Sequence, residues 1–448
     1  MKQHKFAHWL KNSITAKMLV VGFLLLVLLI PLSYVQDLIR ERSFRQKDVV
    51  AEINDKWGTS VLLSGPILKI PYTVTLEEKV YIEKNKSFEI KTTEQTEYAY
   101  LLPDQLDIAA DVTTHPLNRS IYESVVYDAA MEVQGSFPLI DLSERYIKQE
   151  AIQWDKITLL IQSSNLKGIT ETVSVSVNDS SISLSPKYGG GYLNTIQSDP
   201  LDKTFFEGSS PISFSFPFHI NGSESLQFIP IGKETMVSME SNWHSPSFNG
   251  KYLPENGSRE ISEDGFKARW KVLQINRQFE QLFFNKLPSL TEFAFGTNFV
   301  VPVDEYQKSE RAAKYGFMVI GITLLVFLLI QLVSKINIHP FQYLMIGLAL
   351  VLFYTLLIAI TEHSSFLKAY AISAVAVLVL IMTYSRAILK GFKFPILVGG
   401  SLASLYGFIY VIIQLENYAL LVGSIGLFVI LATIMFVSRN IDWQGYGK

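Results

Sequence analysis

The sequence predicts an integral membrane protein of six transmembrane helices, split one and five. Between them it predicts a large extracytoplasmic, mainly antiparallel β domain of sandwich-like build. Three observations carry this. Residues 315–438 are almost continuous hydrocarbon, in five blocks free of Asp, Glu, Lys and Arg: Tyr315–Ser334, Phe341–Thr361, Ala369–Ser385, Phe394–Leu415 and Asn417–Ser438. A sixth uncharged run, Met18–Gln36, stands near the start. The polar stretch Asp37–Ala313 separates the two regions and alternates short apolar segments with turn signals.

Each block has about the 20 residues a helix needs to cross a bilayer core. The blocks are apolar all round rather than on one face, which excludes ordinary surface helices of a soluble domain. The whole chain agrees: 49% of residues are hydrophobic and 18% charged, against about 25% charged in a typical soluble domain. A net charge of −2 leaves no footprint for nucleic acid. Cysteine is absent, so disulfides, thiolate catalysis and Cys-ligated metal are excluded.

Residues 1–17 carry Lys2, Lys5, Lys11 and Lys17 and no acid. The run that follows, 18–36, is longer than a secretory signal core, and Ser33-Tyr34-Val35 lacks a small-x-small cleavage pattern. An uncleaved first helix, a signal anchor, is expected there. With residues 1–17 cytoplasmic, Lys335, then Arg386, Lys390 and Lys393, then Arg439 and Lys448 also fall inside, as the positive-inside rule asks. The opposite short loops hold only Lys368, beside Glu362 and Glu416. Arg40, Arg42, Arg45 and Lys47 run against the rule, which long translocated domains largely escape.

The domain 37–313 opens with a charged helix, Asp37–Lys56, and then turns to strands. Glu171–Val177 sets Val173, Val175 and Val177 on one face; Ile212–Phe218 alternates in the same way. Ile157–Ile161 and Thr235–Glu240 read as further strands. Turn signals stand at Asn178-Asp179-Ser180-Ser181, Gly189-Gly190-Gly191, Asn221-Gly222, Asn249-Gly250 and Asn256-Gly257. Two lobes, divided near Ile152–Lys156 or at the triple glycine, also fit. The five-helix bundle takes 314–438, and 439–448 form a short cytoplasmic tail.

A family resemblance rests on many short motifs in order. His339-Pro340-Phe341-Gln342-Tyr343-Leu344, Gly347-Leu348-Ala349-Leu350, Phe353-Tyr354 and Glu362-His363 lie in the hydrocarbon region. Glu41-Arg42, Gly65-Pro66-Ile67-Leu68, Ser241-Asn242-Trp243, Pro246-Ser247-Phe248, Asp304-Glu305-Tyr306 and Arg311-Ala312-Ala313-Lys314-Tyr315 precede it, and Arg439-Asn440-Ile441-Asp442-Trp443 ends the series. Together they resemble the CreD family of bacterial inner-membrane proteins, often described as cell envelope integrity proteins. One departure is Gln444, where the resemblance leads one to expect an aromatic residue. The resemblance implies an inner-membrane location, a link in some bacteria to a Cre-type two-component regulon, and tolerance of envelope stress. It implies no reaction.

The chemistry-bearing motifs are sparse. No P-loop, HExxH, GxSxG or dinucleotide fingerprint is present. Ser-x-x-Lys occurs at Ser164–Lys167 and Ser365–Lys368 without the Lys-Thr-Gly strand that penicillin-binding enzymes require. No catalytic, cofactor or metal site is expected: His115, His219 and His244 lack ligand spacing.

The ionisable residues singled out as candidates for a rim or coupling role are His339, Glu362, His363 and Glu416. At helix ends they avoid the cost of about 2.5–3.5 kcal/mol for a charge at the bilayer centre. A helix-end role explains them, and Pro340 fits a first helical turn; proton relay, cation binding or headgroup contact is the alternative. Arg439 and Trp443 suit interface anchoring, and Gly399-Gly400-Ser401 close helix packing. Trp243 and Trp270 are expected in the core of the β domain. A non-enzymatic envelope protein acting through periplasmic protein or lipid contacts is therefore expected, embedded in the bilayer and of unassigned oligomeric state. A lipid or small-molecule transporter would call for polar groups at mid-membrane. A membrane-bound cell-wall hydrolase would call for a cleft of paired acids.

Overall fold

The computed structural model describes residues 13–82, 87–178, 180–187, 192–208, 210–299, 305–334, 336–389, 391–415 and 418–439. Glu416, Trp443, the triple glycine and the lysines at 2, 5 and 11 lie outside the described residues. The chain divides into two compact units: Met1–Asp48 with Val303–Lys448, and Val49–Pro302. Residues 37–48 and 303–313, which the sequence reading assigns to the β domain, group with the helices.

The helical unit contains α1 (Ile14–Trp57, whose last turns belong to the β unit), α2 (Glu305–Lys314), α3 (Gly316–Ser334), α4 (Pro340–Thr361), α5 (Phe366–Leu389), α6 (Lys393–Gln414) and α7 (Ala419–Ser438). Among the described residues six helices, all but α2, are long and apolar enough to cross a membrane. The apolar run and the charged segment after it, read separately from sequence, are one helix of 44 residues that runs through Pro31. Gly22 lies within it as well.

Helices α3, α4, α5 and α6 adjoin in that cyclic order. Helix α1 packs beside α3 and α4, where glycines let it come close. A Cβ at Gly316 would meet Leu32 at 2.8 Å, and one at Gly347 would collide with Leu28. Gly399 of α6 likewise admits Met382 of α5, the close packing its small neighbours predict. Helix α2 is short and amphipathic. It buries Tyr306, Ser309, Ala312 and Ala313 and touches all four helices of the ring. Helix α7 buries no residue and rests on α6, where Gly426 admits the Phe408 ring.

The β unit is built from β1 (Val61–Ile82), β2 (Ser87–Leu101), β3 (Gln105–Arg119), β4 (Tyr122–Phe137), β5 (Thr158–Ser163), β6 (Ser174–Val177), β7 (Ser180–Lys187), β8 (Asn194–Ser198), β9 (Ile212–Ser223), β10 (Ser225–Phe228), β11 (Glu234–Ser241), β12 (Pro246–Gly250), β13 (Glu260–Ser262), β14 (Gly265–Leu273), β15 (Leu282–Phe284) and β16 (Phe295–Phe299). They follow one path, β12-β16-β10-β1-β5-β8-β7-β6-β9-β4-β3-β11-β14-β13, with β2 pairing β1 and β15 off it. Among the described residues pairing is antiparallel except β1 with β10 and β3 with β11.

The two halves of the path face each other across one core, as the sandwich-like expectation requires. Phe248 of β12 meets Trp270 of β14 at 5.6 Å, and Tyr127 of β4 meets Phe299 of β16 at 4.9 Å. Trp270 is fully buried, as expected, and Trp243 packs at the core's margin. Val173, Val175 and Val177 are buried together, and β9 alternates buried and exposed along Ile212–Ile220. Asn221-Gly222 is not a turn but the end of β9. Gly222 lies against the Tyr127 ring, where a side chain has no room.

Candidate functional site

The charged candidates gather at the end of the helical unit where α4 finishes and α5 begins. Glu362 caps α4, and its carboxylate lies 3.4 Å from Arg42 Nη1 on α1. The two side chains are 17% and 36% exposed, so water screens the pair only in part. Two residues earlier on α1, Arg40 pairs with Glu310 of α2 at 3.6 Å and with Asp37 at 3.7 Å. Lys314 closes on Glu310 at 3.3 Å. Gln36 donates its side-chain amide to the Ala313 carbonyl at 2.9 Å, filling an acceptor that the end of α2 leaves open.

Glu305 opens α2 and reaches α5. Its Oε2 accepts the Phe366 backbone N–H at 3.0 Å, while Lys308 lies 3.9 Å from its other oxygen. A carboxylate on an unpaired N–H at a helix start satisfies that donor and favours the helix dipole. The sequence reading placed Glu305 in a motif but gave it no role; only the fold brings residues 305 and 366 together. Arg40 and Arg42, exceptions to the charge rule, prove to be neutralised by acids on α2 and α4.

The other candidates do not join this cluster. His339 sits at the far end of α4, across its 22 residues from Glu362, or about 35 Å away. It is a helix cap: its Nδ1 accepts from Phe341 N at 3.2 Å, and Gln342 Oε1 accepts from His339 N at 2.9 Å. His363 is exposed, with a backbone bond to Ile360 and no side-chain partner among the described residues. Arg439 caps α7, its guanidinium 5.2 Å from the Phe436 ring, which is compatible with an interface anchor.

Below the rim lies an aromatic nest that the sequence reading missed. Phe353 of α4 stacks on Tyr406 of α6 at 4.5 Å and meets Tyr370 of α5 edge-on at 5.3 Å. Tyr370 donates its hydroxyl to the Tyr406 carbonyl at 2.7 Å. Phe366, whose N–H Glu305 holds, packs on Tyr370 at 5.6 Å and so links rim to nest. The hydroxyls of Tyr354, Tyr406 and Ser373 are buried without a partner among the described residues. Deeper in the unit, Tyr343 donates to Gln331 at 2.6 Å.

On the β unit, an open trough of about 1150 Å³ crosses β3, β4, β9, β11 and β14. Small side chains floor it: Ala109 stands opposite Ser238, and Ala130 opposite Asp111. Asp111, Glu132, Glu240, Lys267 and Arg269 flank the floor, and Lys267 closes on Glu240 at 2.7 Å. The Ser-x-x-Lys of residues 164–167 is engaged elsewhere: Ser164 donates to the Ser60 carbonyl, and Lys167 pairs with Asp55 at 3.1 Å. Among the described residues no cluster of three or more His, Asp or Glu has metal-holding geometry.

Near the end of α1, Arg119 and then Lys56 hold Glu52 down at about 2. Burial, with help from Glu97, pushes Tyr72 up to about 12.

Six membrane-length helices, five of them following an inserted β unit, define a multi-span membrane protein. The chain belongs to the CreD family: the model of that family, described as inner membrane protein CreD, matches residues 13–444. Inner membrane protein CreD of Escherichia coli (strain K12) is 30% identical over 447 residues, which cover 98% of this chain and 95% of that protein.

Proposed function

We propose that this protein supports cell-envelope integrity and tolerance of envelope stress without catalysing a reaction. In this reading the β unit stands in the periplasm, both termini are cytoplasmic, and the β unit acts through contacts with protein or lipid. The rim carries the reading. Arg42, Glu362, Arg40, Glu310 and Glu305 engage one another or a helix start. That is the arrangement of a mount; a relay needs a group free to gain and lose a proton. The trough, floored by small side chains, suits an extended chain lying across the strands.

Charge exchange tests it. Arg42→Glu or Glu362→Arg alone should lower survival under envelope stress, and the double exchange should restore it. Loss that the double exchange cannot rescue would favour a coupling role for Glu362 itself. A second reading, movement of a lipid or other small molecule, draws on the Tyr354 and Tyr406 hydroxyls inside the helical unit, which have no partner among the described residues. It predicts faster lipid exchange between leaflets in vesicles containing the protein.

A further inference from the structure

Arg277 of the β unit is 4% exposed, and among the described residues no other charged side chain is buried to that degree. Its Nη2 donates to Gln281 Oε1, and Gln281 is held in turn by the carbonyls of Pro103 and Ile231. Its Nε and Nη1 have no acceptor among the described residues. The guanidinium lies 4.1 Å from the centre of the Phe279 ring. Phe279 packs edge-on against Phe293 at 4.9 Å, and Lys251 Nζ lies 6.0 Å from the Phe293 centroid. Two cations thus flank one aromatic pair, and no ion pair joins either to a carboxylate among the described residues.

A buried ion with no countercharge is strongly unfavourable. A ring face offsets part of that cost through its quadrupole, and Gln281 supplies one acceptor. Losing the proton does not resolve it: burial lowers Arg277 only to about 10, so it stays charged at neutral pH. What the arrangement lacks is an acceptor with negative charge. Guanidinium N–H groups suit the oxygens of phosphate and carboxylate better than any other partner.

We propose that Arg277, with Lys251 on the other ring of the aromatic pair, anchors a binding site for an oxyanion, either free in solution or carried on a lipid headgroup. The site shares no residue with the rim or the trough, and it holds whichever reading of the protein's function stands.

The test uses the full chain in an uncharged detergent, its thermal unfolding followed by tryptophan fluorescence, with inorganic phosphate as the probe. A parallel arm compares lipid discs of phosphatidylglycerol with discs of phosphatidylcholine. Phosphate should raise the unfolding temperature of the wild-type protein. Arg277→Met should abolish the response and, without phosphate, unfold above the wild type, because it removes an uncompensated charge. A purely structural arginine gives the opposite sign. Arg277→Lys keeps the charge but loses the planar donor set, and should bind phosphate about tenfold more weakly. Stabilisation by phosphatidylglycerol alone identifies a headgroup; stabilisation by phosphate identifies a free anion; either supports the site. Stabilisation by neither overturns it, as does a Met variant that responds like the wild type. Should that variant not fold, unchanged phosphate affinity in Arg277→Lys overturns it instead.

Discussion

Single hydroxyls separate two kinds of buried tyrosine in the helical unit. Tyr370 satisfies a carbonyl of α6, whereas Tyr354 donates to nothing among the described residues. Tyr370→Phe should therefore cost about 1 kcal/mol, the net worth of one hydrogen bond. Tyr354→Phe removes only an unpaired polar atom and should leave stability unchanged or raise it. Unfolding of the two variants in detergent, side by side, checks the order.

In the β unit, Arg119 and Lys56 depress Glu52 to about 2 from an ordinary 4.5. A carboxylate that is more acidic when folded adds stability above its unfolded pKa and loses it as pH falls through the folded one. The difference between wild type and Glu52→Gln should thus be constant near neutrality and fade between about pH 4.5 and 2. A difference that persists at the acid end would assign the effect to packing.

At the scale of elements, solvation and alternation made much of the fold legible. The hydrocarbon blocks became α3 to α7, because hydrocarbon admits only chain that satisfies its own backbone. The valines at 173, 175 and 177 and the Phe-Ser alternation of β9 fixed which strand face is inward. Strands β3 and β4 alternate buried and exposed residues, a pattern present in the sequence though not read there; the outer parts of β1 and β2 were not legible. Their ladder runs from Leu68 opposite Leu101 to Ile82 opposite Ser87, and over Thr75–Glu78 and Lys91–Thr96 the side chains are exposed on both faces. Without a buried face there is no alternation to read.

The rim was half legible. Helix-end logic found Glu362, but its partner Arg42 is 320 residues away and Glu305 acts on a backbone N–H, which no sequence pattern records. That contact yields an element-scale expectation. Glu305→Ala leaves the start of α5 uncapped, at a cost of about 1 kcal/mol. Backbone amides around Phe366–Tyr370 should then exchange with solvent about fivefold faster by mass spectrometry, those of α4 remaining unchanged. An unaltered α5 would mean that water replaces the carboxylate without loss.

For the whole molecule, charge and parity carry the proposed orientation of the helices. The stretch 386–393, from the last turn of α5 to the start of α6, carries Arg386, Lys390 and Lys393, the strongest basic concentration around the short connections. Basic short loops stay in the cytoplasm. Counting back through α5, α4 and α3 puts the chain before α3 on the opposite face, which is the proposed periplasmic side for the β unit. The absence of cysteine makes this directly measurable, since any thiol introduced is the only one. Tyr146 in the β unit is 95% exposed and Phe392 between α5 and α6 is 60% exposed. In spheroplasts, a membrane-impermeant maleimide should label Tyr146→Cys at once. It should label Phe392→Cys only after the membrane is opened. The reverse pattern would put the β unit in the cytosol, and an envelope role through periplasmic contacts would fall with it.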